Sequence, residues 1–118
     1  MDIKTTVIVK LQVEGAHYFA KAKELFPEVG FLADRHRHIF HIKACMEVFH
    51  DDRDIEFILF KRGVKDYLHD SYYSDSTGML EFDNMSCESI ARELRDYFHC
   101  EWVEVWEDDE NGARVEKI

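Results

Sequence analysis

The sequence of 118 residues has no long apolar run. Each of its apolar stretches is much shorter than the roughly 20 apolar residues that a membrane-spanning helix needs. Residues 1–10 alternate apolar and polar side chains and contain neither the apolar segment nor the cleavage site of a signal peptide. The sequence also has no internal repeat, no linker and no low-complexity segment. We therefore expect one domain, residues 1–118, that does not bind a membrane.

Cysteine is scarce in this chain. Cys45, Cys87 and Cys100 are odd in number and widely spaced, and no two of them have the Cys-x-x-Cys spacing. This pattern argues against a disulfide framework and favours free thiols in a reducing compartment. The sequence therefore predicts a cytoplasmic protein.

Basic residues are too few to balance the acidic ones. The chain has 15 lysines and arginines against 25 aspartates and glutamates, which gives a net charge of −10. Such a chain repels polyanions, so we do not expect it to bind nucleic acid. Arg35, Lys43 and Lys61 nevertheless belong to two basic islands, which offer a local site for a small anionic substrate.

Hydrophobic residues make up 46% of the chain, enough for a true core, and their spacing indicates the fold. Apolar side chains alternate over 3–13 and 36–48, which predicts two strands, and shorter strands are expected over 102–107 and 113–117. Helical spacing predicts helices over 59–68 and from an N-cap at Ser86 to about residue 99. We read 18–34 as a loop that includes a short helical turn around 21–26, and 71–78 as a second loop. The predicted fold class is α+β, an antiparallel four-stranded sheet with two helices packed on one face.

Histidines carry the main chemical evidence. His36 and His38 are two residues apart on a predicted strand, so their side chains project to the same face. Two neighbouring imidazoles can bind one Zn²⁺, and His17 supplies a third ligand if its strand pairs antiparallel with theirs. Three histidines and one open position are typical of a catalytic zinc site. The alternative interpretation is that His-x-His is only a polar rim on a strand.

Two glutamates are candidates for binding a substrate. Glu107 has the same parity as Val103 and Val105, so it points to the apolar side of its strand, where a carboxylate is costly unless paired. Alternatively, the strand has already ended and Glu107 belongs to an acidic turn. Glu88 lies in the first turn of a predicted helix, where it either complements the helix dipole or contacts substrate.

Several segments together resemble one protein family. The runs Val-Glu-Gly-Ala-His at 13–17 and His-Arg-His-Ile-Phe at 36–40 resemble the two zinc-binding segments of the 6-pyruvoyl-tetrahydropterin synthase and 6-carboxy-tetrahydropterin synthase family. Three later segments are also similar to family segments and occur in the same order, at 56–61, 86–91 and 103–107. The resemblance covers nearly the whole chain and implies the fold of that family, the T-fold.

The resemblance also implies a function. It implies a zinc-dependent lyase that acts on dihydroneopterin triphosphate, with zinc bound by His17, His36 and His38. Glu107 then matches the family glutamate that binds the pterin ring, and Glu88 is a second candidate for substrate binding. Family members form rings with active sites between subunits, so the resemblance implies a homo-oligomer, a ring of the hexamer type.

The sequence departs from the family at the catalytic positions. The family's catalytic cysteine, four residues before the first histidine of the pair, corresponds here to Leu32, which cannot move a proton. Asp34 is the nearest carboxylate, although a turn residue is the alternative interpretation. His69 and Asp70 are the closest match to the family's Asp-His pair, in reversed order.

These departures leave two functions open. The first is the zinc-dependent lyase, with Asp34, His69 and Asp70 as the candidate catalytic residues. The second is a non-catalytic relative that binds a pterin or a purine, or serves as an oligomeric scaffold. Cys87 could replace the missing cysteine, since it starts a helix, but its place among the apolar residues favours a buried, inert thiol.

Overall fold

The computed structural model describes residues 2–118 and contains six strands and three α-helices over that range. The strands are β1 Thr5–His17, β2 His36–Val48, β3 Tyr73–Ser74, β4 Met79–Asp83, β5 Trp102–Trp106 and β6 Gly112–Glu116. The helices are α1 Ala22–Leu25, α2 Phe57–Tyr72 and α3 Cys87–Phe98, and a 3₁₀ segment covers Pro27–Ala33. None of the helices in residues 2–118 combines the length and apolar character needed to cross a membrane.

The six strands form one mixed sheet in the order β3-β4-β1-β2-β5-β6. Every neighbouring pair is antiparallel except β1 and β4, which run parallel over Gly15–His17 of β1. The predicted four-stranded antiparallel sheet is therefore wrong. The sequence did not predict β3, whose two residues are too few to show a period. It did not predict β4 either, because the adjacent apolar residues Met79 and Leu80 interrupt the alternation.

The two long helices and the sheet enclose one hydrophobic core. Val64 and Leu68 of α2 and Ile90 and Leu94 of α3 are buried in the same cluster as the inward side chains of the sheet. The sheet contributes alternate residues, as a half-buried strand requires; these include Val9, Leu11, Phe40, Ile42, Val103 and Val105. The α+β class and the placement of the two main helices therefore agree with the sequence prediction.

Side-chain caps set the starts of both long helices. The Ser86 hydroxyl accepts a hydrogen bond from the Ser89 N–H at 3.1 Å, which confirms the predicted N-cap of α3. Helix α2 starts at Phe57, two residues before the predicted start, because the Glu56 carboxylate accepts hydrogen bonds from the backbone N–H groups of Ile58 and Leu59. The start of α3 lies beside the end of β1, where the histidines meet.

Candidate metal centre

The register of β1 and β2 brings the three predicted metal ligands together. His17 lies directly opposite His36, and Gly15 lies opposite His38, so His38 is the diagonal neighbour of His17. The ring centroid of His17 is 4.6 Å from that of His36 and 5.2 Å from that of His38. One ring nitrogen from each histidine lies within 4.8 Å of the other two. The predicted antiparallel pairing is confirmed, and the cluster is compatible with metal binding.

Backbone carbonyls orient two of the three rings. Nδ1 of His17 lies 2.8 Å from the carbonyl oxygen of Met85, and Nδ1 of His36 lies 2.8 Å from that of Asp34. Because a carbonyl oxygen only accepts, Nδ1 carries the hydrogen and Nε2 of the neutral ring keeps its lone pair. Metal-binding histidines are typically held in this way, with the second nitrogen bonded to a carbonyl or carboxylate.

Two of the ring nitrogens are buried without a hydrogen-bond partner. These are Nε2 of His17, whose side chain is only 9% exposed, and Nε2 of His38. A buried polar atom without a partner is costly, and a bound cation would satisfy both lone pairs. Burial lowers the pKa of His38 despite the opposing effect of Glu107, which favours the neutral ring that binds metal. The donor set is therefore compatible with a bound metal ion.

Glu107 points into the same cluster. It is the first residue after β5, and its Oε2 lies 3.3 Å from Nε2 of His17 and 3.3 Å from Nε2 of His38. Its backbone N–H donates to the carbonyl of Asn111 at 3.0 Å, which fixes the residue at the base of the β5–β6 turn. The strand has ended before Glu107, as the alternative interpretation held, and its carboxylate nevertheless faces the histidines.

A cavity of about 270 Å³ opens beside the cluster. Its lining includes His17, His36 and Glu107 on one side and Glu88, from the first turn of α3, on another. Leu32 also lines the cavity, so an apolar side chain lies close to the candidate metal ligands His17 and His36, where the resemblance places the family's cysteine. The two carboxylates proposed from sequence for substrate binding thus line one cavity together with His17 and His36.

The three candidate catalytic residues lie outside the lining of this cavity. Asp34 contributes its backbone carbonyl, which positions His36. His69 and Asp70 lie on the exposed last turns of α2, with side chains 62% and 85% exposed, and His69 stacks on Tyr73. The catalytic roles of Asp34, His69 and Asp70 stay predictions.

The sequence did not predict the backbone carbonyls that hold the histidine rings in place. The Met85 carbonyl is 68 residues from His17 along the chain, and a backbone acceptor leaves no side-chain pattern to detect. The Cys87 thiol is buried, which agrees with the interpretation that it is inert. Its pKa is raised to about 12, mainly because of burial and to a smaller extent because of nearby carboxylates. Asn84 and Asn111 also line the cavity, and the sequence did not predict them there.

Comparison with known proteins identifies the fold. No protein-family model matches the sequence, and no curated protein matches it either. Among solved structures, the 6-pyruvoyl tetrahydropterin synthase of Caenorhabditis elegans superposes with a TM-score of 0.68 at 14% identity, over 98% of this chain and 97% of that one. An uncharacterized protein of Wolinella succinogenes gives a TM-score of 0.68 at 13% identity, over 99% of this chain and 100% of that one.

The Plasmodium falciparum 6-pyruvoyl tetrahydropterin synthase gives a TM-score of 0.62 at 17% identity, over 98% of this chain and 99% of that one. Each likeness therefore covers nearly the whole length of both chains. At this level of sequence identity, the similarity shows the fold alone. The chain has the fold of 6-pyruvoyl tetrahydropterin synthase, as the sequence resemblance predicted.

Proposed function

We propose that this chain is a divergent member of the 6-pyruvoyl/6-carboxy-tetrahydropterin synthase family, a zinc-dependent lyase that acts on dihydroneopterin triphosphate. The observation that carries the proposal is the convergence of three imidazole rings beside a cavity, with two buried Nε2 atoms that lack partners. The shared fold supports the same conclusion, because two of the structures reported above are named as 6-pyruvoyl tetrahydropterin synthases.

The residues of the site have separate roles in this proposal. His17, His36 and His38 would hold zinc, which supplies a Lewis acid that polarises a substrate oxygen and acidifies neighbouring groups. Glu88 and Glu107 line the cavity, and a carboxylate can accept two N–H donors such as those of a pterin ring. The cavity of about 270 Å³ provides space for a small ligand beside these side chains.

The apolar side of the cavity favours a second function, the binding of a ligand without catalysis. Leu32 cannot carry a proton, and the Cys87 thiol, with a pKa of about 12, is a poor base at neutral pH. A relative that binds a pterin or purine without turning it over needs the cavity and its carboxylates but no proton-transfer group. The same chain could then serve as an oligomeric scaffold.

The two edges of the sheet favour assembly with further copies of the chain. Strands β3 and β6 end the sheet, and exposed strand edges are prone to pair with another chain. We therefore propose a homo-oligomer, a ring of the hexamer type, in the cytoplasm. Because His69 and Asp70 do not line the cavity of their own chain, they act in catalysis only if a second copy brings them to it. Nucleic acid is not an expected partner.

The test combines metal content with product detection. Zinc would be measured by elemental mass spectrometry on purified protein, and pterin products would be sought after incubation with dihydroneopterin triphosphate. Zinc with turnover supports the lyase, whereas zinc without turnover selects the binding function. His38→Ala should lose both metal and product, and His41→Ala is the matched control because His41 lies on the opposite face of β2. Wild-type protein without zinc would contradict the proposal.

The oligomer is tested separately. Sedimentation velocity on the full chain should show a species several times the 14.1 kDa of one chain. A monomer at all concentrations would contradict the ring, and it would also remove His69 and Asp70 from the candidate catalytic residues.

A further inference from the structure

We propose that four lysines of β1, β2 and α2 form a second binding site, for a short polyphosphate anion. Lys10, Lys43, Lys61 and Lys65 together line a cavity of about 390 Å³. None of the other residues that line this cavity is acidic. In the sequence, Lys43 and Lys61 belong to two separate basic islands, and the fold brings them to one cavity.

The register of the sheet and the period of the helix concentrate the positive charge. Lys10 lies directly opposite Lys43 in the pair of β1 and β2, and residues in this position have Cβ atoms about 4.5 to 5.5 Å apart. Lys61 and Lys65 are four residues apart in α2, so they are neighbours on one face of the helix. Like charges destabilise the folded protein in both arrangements. A bound anion would offset this repulsion.

The protein's own carboxylates leave this charge available to a ligand. Within the part of the chain that the structure describes, none of the four lysines forms an ion pair. Glu104 lies opposite Lys43 on β5, but its carboxylate accepts a hydrogen bond from Nε1 of Trp106 at 3.0 Å and lies 3.4 Å from a nitrogen of Arg114. Since the whole chain carries a net charge of −10, an excess of basic residues does not explain the cluster.

The lysine cavity is separate from the candidate metal centre. The two cavities have no lining residue in common. Lys43 is five residues from His38 along β2, which is about 16 Å at 3.3 Å per residue, and the odd spacing puts the two side chains on opposite faces. Arg35, the other basic residue near the histidines, is paired with Glu81. The inference therefore does not depend on the proposed function.

The chemistry of the lining favours linked phosphates. Lysine ammonium groups bind phosphate oxygens as point charges, through charge-assisted hydrogen bonds. Two pairs of ammonium groups can contact more oxygens of a polyphosphate than of a single phosphate. The lining contains no Phe, Tyr or Trp on which a base could stack, so the phosphates and not their carrier should determine binding. The net charge of −10 repels long polyanions, which favours a short chain of phosphates.

The experiment is calorimetric titration of the full chain with inorganic triphosphate in 0.15 M NaCl. The double substitution Lys10→Gln/Lys43→Gln should weaken binding about tenfold or more, because it removes two charged hydrogen-bond donors. The matched control is Lys21→Gln/Lys23→Gln, which changes the net charge equally at two exposed residues outside the cavity. This control should bind as the wild type does. Equal weakening in both double variants would reduce the effect to net charge and overturn the site, as would a wild type that does not bind.

Two further variants keep the test decisive. If Lys10→Gln/Lys43→Gln does not fold by circular dichroism, Lys61→Gln/Lys65→Gln replaces it, with the same expected loss. His38→Ala should bind triphosphate as the wild type does, and a loss of binding there would place the anion at the histidines and overturn the second site. Because this readout requires neither turnover nor bound metal, failure of the lyase proposal would leave it unchanged.

ATP distinguishes a free polyphosphate from the phosphate tail of a nucleotide. It should bind with the same affinity as inorganic triphosphate, because the proposed contacts involve phosphate alone. Tighter binding of ATP that persists in Lys10→Gln/Lys43→Gln would place the nucleotide elsewhere on the protein and overturn the assignment.

Discussion

His17 and His36 lie directly opposite each other in the antiparallel pair of β1 and β2, with ring centroids 4.6 Å apart. Residues in this position on one sheet face are close enough for both side chains to bind one ligand. His38, two residues along β2, completes the cluster. The register of the two strands therefore assembles the candidate metal centre, and substitutions in these strands can test it.

Zinc should stabilise the wild-type protein against heat. A ligand that binds only the folded state contributes about 2.7 kcal/mol when its free concentration is one hundred times its dissociation constant. Thermal unfolding with and without zinc should show a rise in Tm for the wild type and no rise for His17→Ala. His41→Ala should keep the rise, because its side chain lies on the opposite face of β2. An equal rise for His17→Ala would remove His17 from the ligand set.

Gly15→Ala should destabilise the fold. A Cβ at Gly15 would lie 2.7 Å from Cε2 of Phe82 and 3.2 Å from Cδ2 of Phe40, and both rings are buried in the core. Overpacking of this kind costs about 1 to 3 kcal/mol, which urea unfolding would measure. The control is Gly63→Ala in α2, where the nearest side-chain atom is 3.8 Å away.

Gly63→Ala should raise the free energy of unfolding by about 0.4 to 1 kcal/mol, because alanine loses less backbone entropy than glycine in a helix. Both substitutions replace glycine with alanine. Changes of opposite sign in the free energy of unfolding would therefore reflect the space available for the added methyl group. If Gly15→Ala leaves the free energy of unfolding unchanged, the sheet and Phe82 can move apart to make room for the methyl group.

The Arg35–Glu81 ion pair should make stability depend on pH. Nε of Arg35 donates to Oε1 of Glu81 at 2.9 Å and a terminal nitrogen donates to Oε2 at 2.6 Å. The hydrogen bond from Arg35 holds the pKa of Glu81 below its ordinary 4.5. Because the pKa is lowered in the folded state, the stabilisation is present above pH 4.5 and is lost as the pH falls through the lower folded-state pKa.

The pair is exposed to solvent, so its contribution at neutral pH should be small. The difference in unfolding free energy between wild type and Glu81→Gln should therefore shrink towards zero in acid. Arg35→Gln should show the same loss of pH dependence. A difference that stays constant between pH 7 and pH 2 would show that Glu81 acts through packing and not through charge.

Leu32→Cys should increase turnover if the missing thiol limits catalysis. Leu32 lines the cavity beside His17 and His36, where the resemblance places a proton-transferring cysteine. General acid–base catalysis contributes at least about 10²-fold, and a rise of that order in product formation would be measured under saturating zinc. Leu32→Ala is the control for a change of volume alone. No gain, with zinc bound and the fold intact, would favour the non-catalytic binding function.

The sequence by itself determined the local features of this protein. Period-two alternation predicted β2 at 36–48, where the structure has His36–Val48, and the same period put His36 and His38 on one face. Ser86 was identified as the cap of α3 from its residue type and position. These features depend on neighbours within a few residues along the chain, and so a single sequence records them.

Only the tertiary structure decided how the site is assembled. The parallel pairing of β1 with β4, the Met85 carbonyl on His17 and the approach of Glu107 to the histidines join residues far apart in the chain. A strand's own pattern does not state its partner or its register, and a backbone carbonyl looks the same at every residue. Such contacts arise when the sheet closes on its core, because packing and not local propensity selects them.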